Sequence, residues 1–380
     1  MSALPTVPVT VDPAGGTLRV VLRGSGPVAL AFALFAERLL GPELSIDLPA
    51  LPDAPPAPAL AARPLAISHG TRVLLERVLR FPDDAAPILG IDIALAGLPG
   101  RTRLSAADLA LPALGWVVRY GRLWGALREA AQDRGLLGAT AGAEMRPDTV
   151  EVVADGDTGE DARVRLEGEA AVLAEVIPER GAAGLAIERF TRQGPLALLP
   201  LPVVPRTPAR WALVWCSDEA LATRRVELSQ PAFEEALEQA AGDTFGRLRL
   251  ADAPLRVQLS SRARRELVKG GTVWIGNAAQ ALHPVAGQGL NLGMRDAYEL
   301  ADSLARGHQR GLAAPMALAD YARRRAADRD SMLRVTDLLA TALRAPLARP
   351  LQSVALAVLD VTPGLRNAVA RGFMNGFVRT

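Results

Sequence analysis

Two glycine-containing strings in this chain have the residue types and spacing to handle a nucleotide. Gly24-Ser25-Gly26-Pro27-Val28-Ala29 fits the pattern G-x-G-x-x-G/A. In that pattern the first glycine makes a tight turn, the second lets backbone approach a diphosphate, and a small third residue lets a helix pack closely on a strand. Asp47 follows 23 residues after Gly24, where a carboxylate could accept hydrogen bonds from ribose hydroxyls. The competing reading is an ordinary strand-to-helix turn, and the flanking strand, helix and acid weigh against it. The second string runs from Val273 through Gly276-Asn277-Ala278-Ala279-Gln280, His283-Pro284 and Gly287-Gln288-Gly289-Leu290-Asn291 to Arg295-Asp296. Gly287 and Gly289 stand just before a helical pattern, where backbone can approach a ligand and free N–H groups can meet negative charge. Taken singly, His283 reads as a packing histidine and Arg295-Asp296 as a solvated helix pair. The string as a whole is too specific for that. No carboxylate pair or Ser/His/Asp set presents itself, so no catalytic residue is assigned.

The elements around these strings must hold them in place. Leu18–Leu22 reads as a strand, Leu30–Leu40 as an apolar helix and Leu44–Asp47 as a second strand, which together make one β-α-β unit ahead of a Pro-rich stretch from Leu48 to Pro64. Thr71–Leu79 and Tyr120–Ala131 have helical spacing, and Ile88–Leu95 reads as a strand followed by a turn over Gly97–Gly100. Val150–Leu166, with Asp155-Gly156 near its middle, reads as a β-hairpin. Strands follow at Val172–Val176, Leu196–Leu199 and Trp211–Trp215, a helix at Phe233–Ala241, and a buried strand at Val273–Ile275. A long helix is expected over Asn291–Arg306, with helices beyond Ala317. Helices and strands interleave at both ends and strands dominate the middle, so the expected fold is an α/β nucleotide-binding domain with a sheet domain inserted in it.

Composition narrows the classes. At 380 residues, 49% hydrophobic and 22% charged, the chain can bury a sizeable core. The 43 basic and 41 acidic residues nearly cancel, and no basic block marks a nucleic-acid footprint. Lys269 is the only lysine, a mark of genomic base composition. Cys216 is the only cysteine, and His69, His283 and His308 are the only histidines, so neither an internal disulfide nor a zinc-type site is expected. The residues from Met1 to Gly16 carry no basic leader pattern, and no run approaches the roughly 20 apolar residues of a membrane span, so a soluble or peripheral protein is expected.

From Gly276 to Asp296 the chain resembles the flavin-dependent aromatic hydroxylases of ubiquinone biosynthesis, nearest to their polyprenyl-methoxyphenol hydroxylase branch. That family's second flavin motif reads G-[DN]-A-A-[HQ]-x-x-x-P-x-x-G-Q-G-x-N-x-G-x-x-D. The likeness extends to Ala62–Gly70, Pro112–Tyr120, Glu188–Pro200 and Tyr321–Arg325. The resemblance implies a class A flavoprotein monooxygenase: a Rossmann-like FAD-binding domain (17–75, 101–168 and 260–343), an inserted, mainly antiparallel β-sheet substrate domain (76–100 and 169–259) and a helical C-terminal segment (344–380). It implies FAD contacts at Gly24, Gly26, Ala29, Asp47, Arg63, Arg119, Gly276, Asn277, Pro284, Gly287, Gln288, Gly289, Leu290 and Asn291. NADPH or NADH would reduce the FAD, O2 would add to the reduced flavin, and the resulting hydroperoxide would hydroxylate a polyprenyl phenol. A cytoplasmic protein, peripheral to the inner membrane and in the company of other ubiquinone-biosynthesis proteins, is the implied setting. The stretch from Arg344 to Thr380 carries five arginines against Asp360 alone and an apolar set from Leu351 to Phe373. That fits either a helical subdomain packed on the FAD domain or a membrane contact.

Two departures from the family pattern stand out. Asn277 replaces the usual Asp of the GD dipeptide, which keeps a hydrogen bond without the charge. Asp155-Gly156 imitates the family's D-G motif, but a hairpin turn is the favoured reading there, since the helix and roughly another strand that follow the motif in the family are missing and the expected hairpin runs almost directly into Ala171. This departure supports an alternative reading, a catalytically impaired scaffold or binding subunit.

Overall fold

The computed structural model describes residues 17–49, 56–137, 149–156, 158–159, 161–283, 287–341 and 349–375. Along the chain the elements are β1 (Leu18–Arg23), α1 (Pro27–Leu40), β2 (Leu44–Asp47), α2 (Pro58–Ala61), β3 (Pro64–Ser68), α3 (His69–Leu75), β4 (Ala86–Ile88), β5 (Gly90–Leu95), β6 (Arg101–Ser105), β7 (Gly115–Arg119) and α4 (Tyr120–Asp133). The middle holds β8 (Val150–Val153), β9 (Ala162–Pro178), β10 (Leu185–Thr191), β11 (Gly194–Pro200), β12 (Trp211–Asp218), α5 (Glu219–Val226), α6 (Gln230–Ala241), β13 (Leu248–Leu250) and β14 (Leu255–Arg264). The chain ends in β15 (Val268–Lys269), β16 (Thr272–Trp274), β17 (Gln280–Ala281), α7 (Gln288–Gln309), α8 (Ala314–Thr341), α9 (Arg349–Val361) and α10 (Pro363–Asn375).

A five-stranded sheet in the order β15-β16-β8-β1-β2 carries the first domain. Its β1, β2, β8 and β16 are mutually parallel, so their carboxyl ends lie at one edge. Behind it α1 is apolar all round, with Val28 through Ala36 buried against α7 and α4, as a helix must be when it is covered on every side. Pro27 starts α1 at a position whose N–H would be unpaired in any case, and Gly41, at φ 55°, ends it.

The second sheet is larger and mostly antiparallel: β17-β14-β9-β12-β11-β10-β5-β6, with β13 paired to β9 off this path. Strand alternation gives it two faces. One turns Val172, Leu196, Leu198, Leu213, Trp215 and their neighbours into a core closed by α5 and α6, with Phe233 and Leu237 on α6. The other turns Ala186, Ala212 and Leu199 toward Ile88 and Val117 of a small three-stranded sheet, β3-β7-β4. α9 and α10 pack on β6 and α3, with Ala370 and Met374 buried beside Leu109 and Leu114. The packed-subdomain reading of the C-terminal segment therefore describes these helices.

The α/β fold with an inserted antiparallel sheet and a helical C-terminus is as expected, but three expectations need correction. Val150–Leu166 is not a hairpin. β8 is an interior parallel strand between β1 and β16, while β9 belongs to the other sheet. Val150 and Val152 are buried in that interior position, which β-branched residues fit as well as they fit a hairpin. Second, Ile88–Leu95 is two strands, because the chain changes sheet at Leu89. Third, Val172–Val176 is the middle of the 17-residue β9. The strands also cross the expected domain limits: β6 pairs with β5 across the 100/101 boundary, and β9 begins before residue 169.

Candidate cofactor site

The carboxyl ends of β1, β2, β8 and β16 bring the glycine turn, Asp47, Asp155 and Gly276-Asn277 to one edge, the crevice where parallel α/β sheets take their ligands. Gly24 has φ 140°, which favours glycine, and a Cβ there would lie 2.9 Å from Asp155 Cγ. A Cβ on Gly26 would lie 2.7 Å from Asp155 Oδ1. The glycines are thus required by Asp155 itself. Its Oδ2 accepts from the N–H of Ser25 at 2.5 Å and of Gly26 at 2.9 Å, capping α1 from the neighbouring strand. On the other side Trp124 Nε1 donates to the Ser25 carbonyl at 2.9 Å. Ala29 is fully buried beneath the turn. Asp155-Gly156 therefore sits at the nucleotide edge, the position that the hairpin reading denied it.

Arg63 is exposed at the start of β3, and Tyr120 opens α4. Burial, then the Asp155 carboxylate, push the Tyr120 phenol above its ordinary value, while Arg63 pulls it down, which places all three groups in one neighbourhood. Arg119 is already engaged: it donates to the Ala62 carbonyl at 2.7 Å and pairs with Glu175 of β9 at 2.6 Å. It ties the small sheet to the large one.

The second string folds around buried polar pegs. Gly276, at φ 58°, and Gly293 both close on Val28, where a Cβ would come within 3.0 and 2.9 Å of its methyls. Asp296 is 1% exposed; it accepts from Gly276 N at 3.1 Å, Gln280 Nε2 at 2.6 Å and Arg325 Nε at 2.8 Å. Arg325 also pairs with Asp328 at 2.6 Å, and Arg295 lies 3.5 Å from the same carboxylate. Arg295-Asp296 is thus a buried network, not a solvated pair. Burial lowers the Arg295 guanidinium, whereas Asp296 and Asp328 overcome burial to raise that of Arg325. Asn291 is fully committed: its Oδ1 accepts from Ser68 N at 2.8 Å and its Nδ2 donates to the Ala66 and Gly287 carbonyls, each at 2.9 Å. It fastens the loop to β3. Gly287, at φ 60°, is the N-cap of α7, Gln288 is buried, and Leu290 is half-buried. Pro284 lies outside the described residues.

Several groups remain open to a ligand. Asn277 is exposed, with no side-chain partner among the described residues. Gly287, the N-cap of α7, offers no side-chain cap to its first N–H groups, and beyond the helix itself a Cβ on Gly289 would meet no atom of the described residues within 4 Å. The described residues leave room beside Gly289. A helix end free to receive negative charge, a polar side chain standing open and a glycine turn that already accepts a carboxylate together suit a dinucleotide such as FAD. Residues that spacing alone missed are Asp155, Trp124 and Arg325. Of these only Asp155 left a signal, its D-G dipeptide.

Parallel strand ends meeting at a glycine turn, with an antiparallel sheet attached, define a dinucleotide-cofactor fold of the flavoprotein monooxygenase type. The same fold is found in the flavin-dependent brominase Bmp2, with a TM-score of 0.68 over 94% of each chain at 14% identity. It recurs in p-nitrophenol 4-monooxygenase PnpA from Pseudomonas putida DLL-E4, with a TM-score of 0.67 over 96% of this chain and 100% of that one at 17% identity. Residues 134–336, more than half of the chain, match the FAD binding domain family, and the chain belongs to that family. Its cofactor is FAD. Ubiquinone hydroxylase UbiL of Rhodospirillum rubrum is 32% identical over 285 residues, 67% of this chain and 65% of that protein. The 3-demethoxyubiquinol 3-hydroxylase of Escherichia coli is 32% identical over 157 residues, 40% of this chain and 38% of that one. The chain thus spans just under two thirds of the first of these relatives and less of the second.

Proposed function

We propose that this protein is an FAD-dependent monooxygenase that hydroxylates a polyprenyl phenol in ubiquinone biosynthesis, with NADPH or NADH as electron donor and O2 as co-substrate. The observation that carries the reading is the meeting of the glycine turn, Asp47, Asn277 and the uncapped end of α7 at one sheet edge. Similarity to two ubiquinone-pathway hydroxylases supports the substrate class. When bound, FAD supplies the activation of oxygen. The chain's part is to hold the diphosphate at the α1 end through Gly24, Gly26 and Arg63, to take the ribose on Asp47 and the ribityl chain on Asn277, and to offer the first N–H groups of α7 to the flavin ring. In this division the parallel sheet binds cofactor, the large sheet binds substrate, and Arg119, at the end of β7, braces the small sheet against the large one. Arg119 then acts on the cofactor by holding the Ala62-Arg63 backbone.

The test is the purified full chain. Flavin absorbance bands, and one hydroxylated product per nicotinamide oxidised in the presence of a short-tailed prenyl phenol, are expected. A protein that stays colourless after incubation with FAD refutes the reading. A second reading, a non-catalytic scaffold of a quinone-synthesis assembly, is favoured by one observation: only residues 154–161 separate β8 from β9. The same spectrum decides between them.

A peripheral membrane contact completes the proposal. Among the described residues no helix is long and apolar enough to cross a membrane. On α9, however, Val354, Val358 and Val361 recur at helical spacing and are 60%, 47% and 78% exposed, with Leu365 following on α10. Co-flotation with anionic vesicles, lost in a Val358→Glu, Val361→Glu double variant, tests it.

A further inference from the structure

Glu188 on β10 has no counterpart in the cofactor edge, and its setting on the large sheet is unusual. Strand register places one row of side chains across the sheet: Ile93, Glu188, Ala197, Val214 and Leu173, with Leu255 continuing it on β14. By alternation this row lies on the face opposite α5 and α6. It shares that face with Ala186 and Ala212, which pack on the small sheet of the FAD-binding part. The first five members keep accessible surface and Leu255 is 59% exposed, whereas Leu95, Phe190, Pro195, Cys216 and Ala171 in the next row are all buried. The row therefore forms a partly open floor between the stretch of this face covered by the small sheet and the next, buried row. Strands about 4.8 Å apart make it roughly 20 Å from Ile93 to Leu173, room for an aromatic ring and an apolar substituent.

Glu188 is the one polar residue of that floor. Among the described residues its carboxyl group makes no hydrogen bond or ion pair. The neighbouring Arg189 points to the other face, where it is held by Asp92, Thr244 and the Ala241 carbonyl. A largely desolvated carboxyl group without a protein partner costs a fold stability, and on a partly open apolar surface it is placed to meet a polar group of a ligand. We infer that Glu188 is the hydrogen-bond partner of the substrate's phenolic oxygen, seating the ring on Ala197, Val214 and Leu173 with its apolar tail directed toward Leu255. Burial pushes the Glu188 carboxyl group up to about 8, so at neutral pH it is protonated and can both donate to and accept from that oxygen.

This rests on the proposed phenol hydroxylase reading, and the experiment separates the two. Binding of 2-prenylphenol and of its methyl ether to the full chain is measured by calorimetry for wild type, Glu188→Gln and Glu188→Leu. The expected result is that wild type prefers the phenol, that Glu188→Gln stays within about threefold of wild type, and that Glu188→Leu loses about tenfold for the phenol with the ether unchanged, as one hydrogen bond predicts. Thermal melting of the ligand-free proteins supplies the folding control: Glu188→Leu should melt higher than wild type, because an unpaired carboxyl group gives way to an apolar side chain. A lower melting point would mark Glu188 as a structural group and overturn the inference. If both probes bind wild type and Glu188→Leu changes neither affinity, or both equally, the inference fails while the hydroxylase reading stands. If neither probe binds wild type, the hydroxylase reading fails and takes the inference with it.

Discussion

Asp296→Asn should unseat the loop that carries Asn277. The wild-type carboxylate meets three donors, the Gly276 N–H, Gln280 Nε2 and Arg325 Nε, and is 1% exposed. An amide offers one acceptor in place of two and turns its own NH2 toward Gln280 or Arg325, where donor faces donor. Arg325 keeps Asp328, so the pair is weakened rather than abolished. Breaking a buried ion pair on one side costs about 3–5 kcal/mol, and the remaining partner places this change near the lower end. The Asp83→Asn control removes a 3.8 Å pair with Arg80 whose side chains are 75% and 91% exposed, and should cost under ~0.5 kcal/mol. Urea unfolding of the apoproteins measures both, and FAD titration should show that Asp296→Asn also binds flavin more weakly. An Asp296→Asn protein within ~0.5 kcal/mol of wild type would mean that the network does not hold the loop, and the reasoning would be wrong.

Gly26→Ala should weaken FAD at least about tenfold, and because the intruding Cβ meets Asp155 Oδ1 at 2.7 Å, adding Asp155→Gly should restore part of the loss; a double variant no better than the single one counts against the assigned clash. Gly289→Val should leave apoprotein melting nearly unchanged, since beyond the helix itself no atom of the described residues lies within 4 Å of its Cβ, yet lower the yield of hydroxylated product per nicotinamide oxidised; an unchanged yield would put the loop away from the flavin. Asn277→Ala should reduce FAD affinity without lowering stability, whereas Asn291→Ala should lower stability by about 2–3 kcal/mol through its three lost hydrogen bonds, with thermal melting and FAD titration reporting each. Glu188, with its folded-state value raised to about 8, stays protonated in the folded chain while the unfolded chain ionises near 4.5. Its unfolded form therefore binds fewer protons across that interval, and its contribution to stability falls as pH rises from about 4.5 to about 8 and is constant above. The stability of wild type minus that of Glu188→Gln, followed against pH, should show this slope, and a flat difference would contradict it.

Local signals announced the nucleotide edge because its parts are short and contiguous. Gly24–Ala29 and Gly276–Asn291 each carry their own turn chemistry. What escaped was pairing at a distance. Val150-Glu151-Val152-Val153 alternates in the same way whether its partner is the next strand or a parallel strand well over a hundred residues away, and its partners proved to be β1 and β16. Arg295-Asp296 looks solvated as a sequence pair because its partners, Arg325 and Asp328, arrive on the next helix. Ile88–Leu95 is apolar but for Gly90 and Asp92, and such a run carries no mark of a change of sheet at Leu89. β14, Leu255–Arg264, was unread because polar residues interrupt it, and only register with β9 makes it a strand. Glu188 sits beside Arg189, and two adjacent charges on a strand do not reveal which one faces the core.

The glycine turn is held by two tethers of different kinds, and the difference bears on function. Trp124 Nε1 fixes the Ser25 carbonyl through a neutral, partly buried bond, while Asp155 supplies an exposed charge to the N–H groups of Ser25 and Gly26. A carboxylate at a helix N-terminus contributes roughly 0.3–1 kcal/mol through the helix dipole when solvent-exposed. That is small beside the binding energy of a diphosphate that offers several charge-assisted hydrogen bonds to the same N–H groups, each worth about 1.5–3 kcal/mol. An incoming anion can therefore take the place of Asp155 at modest cost, and the turn does not collapse when it does, because the Trp124 bond and the buried Ala29 remain. The same carboxylate keeps the N–H groups directed outward while no cofactor is bound. Among the described residues of the short passage from β8 to β9, Asp155 is the acidic side chain that reaches this turn.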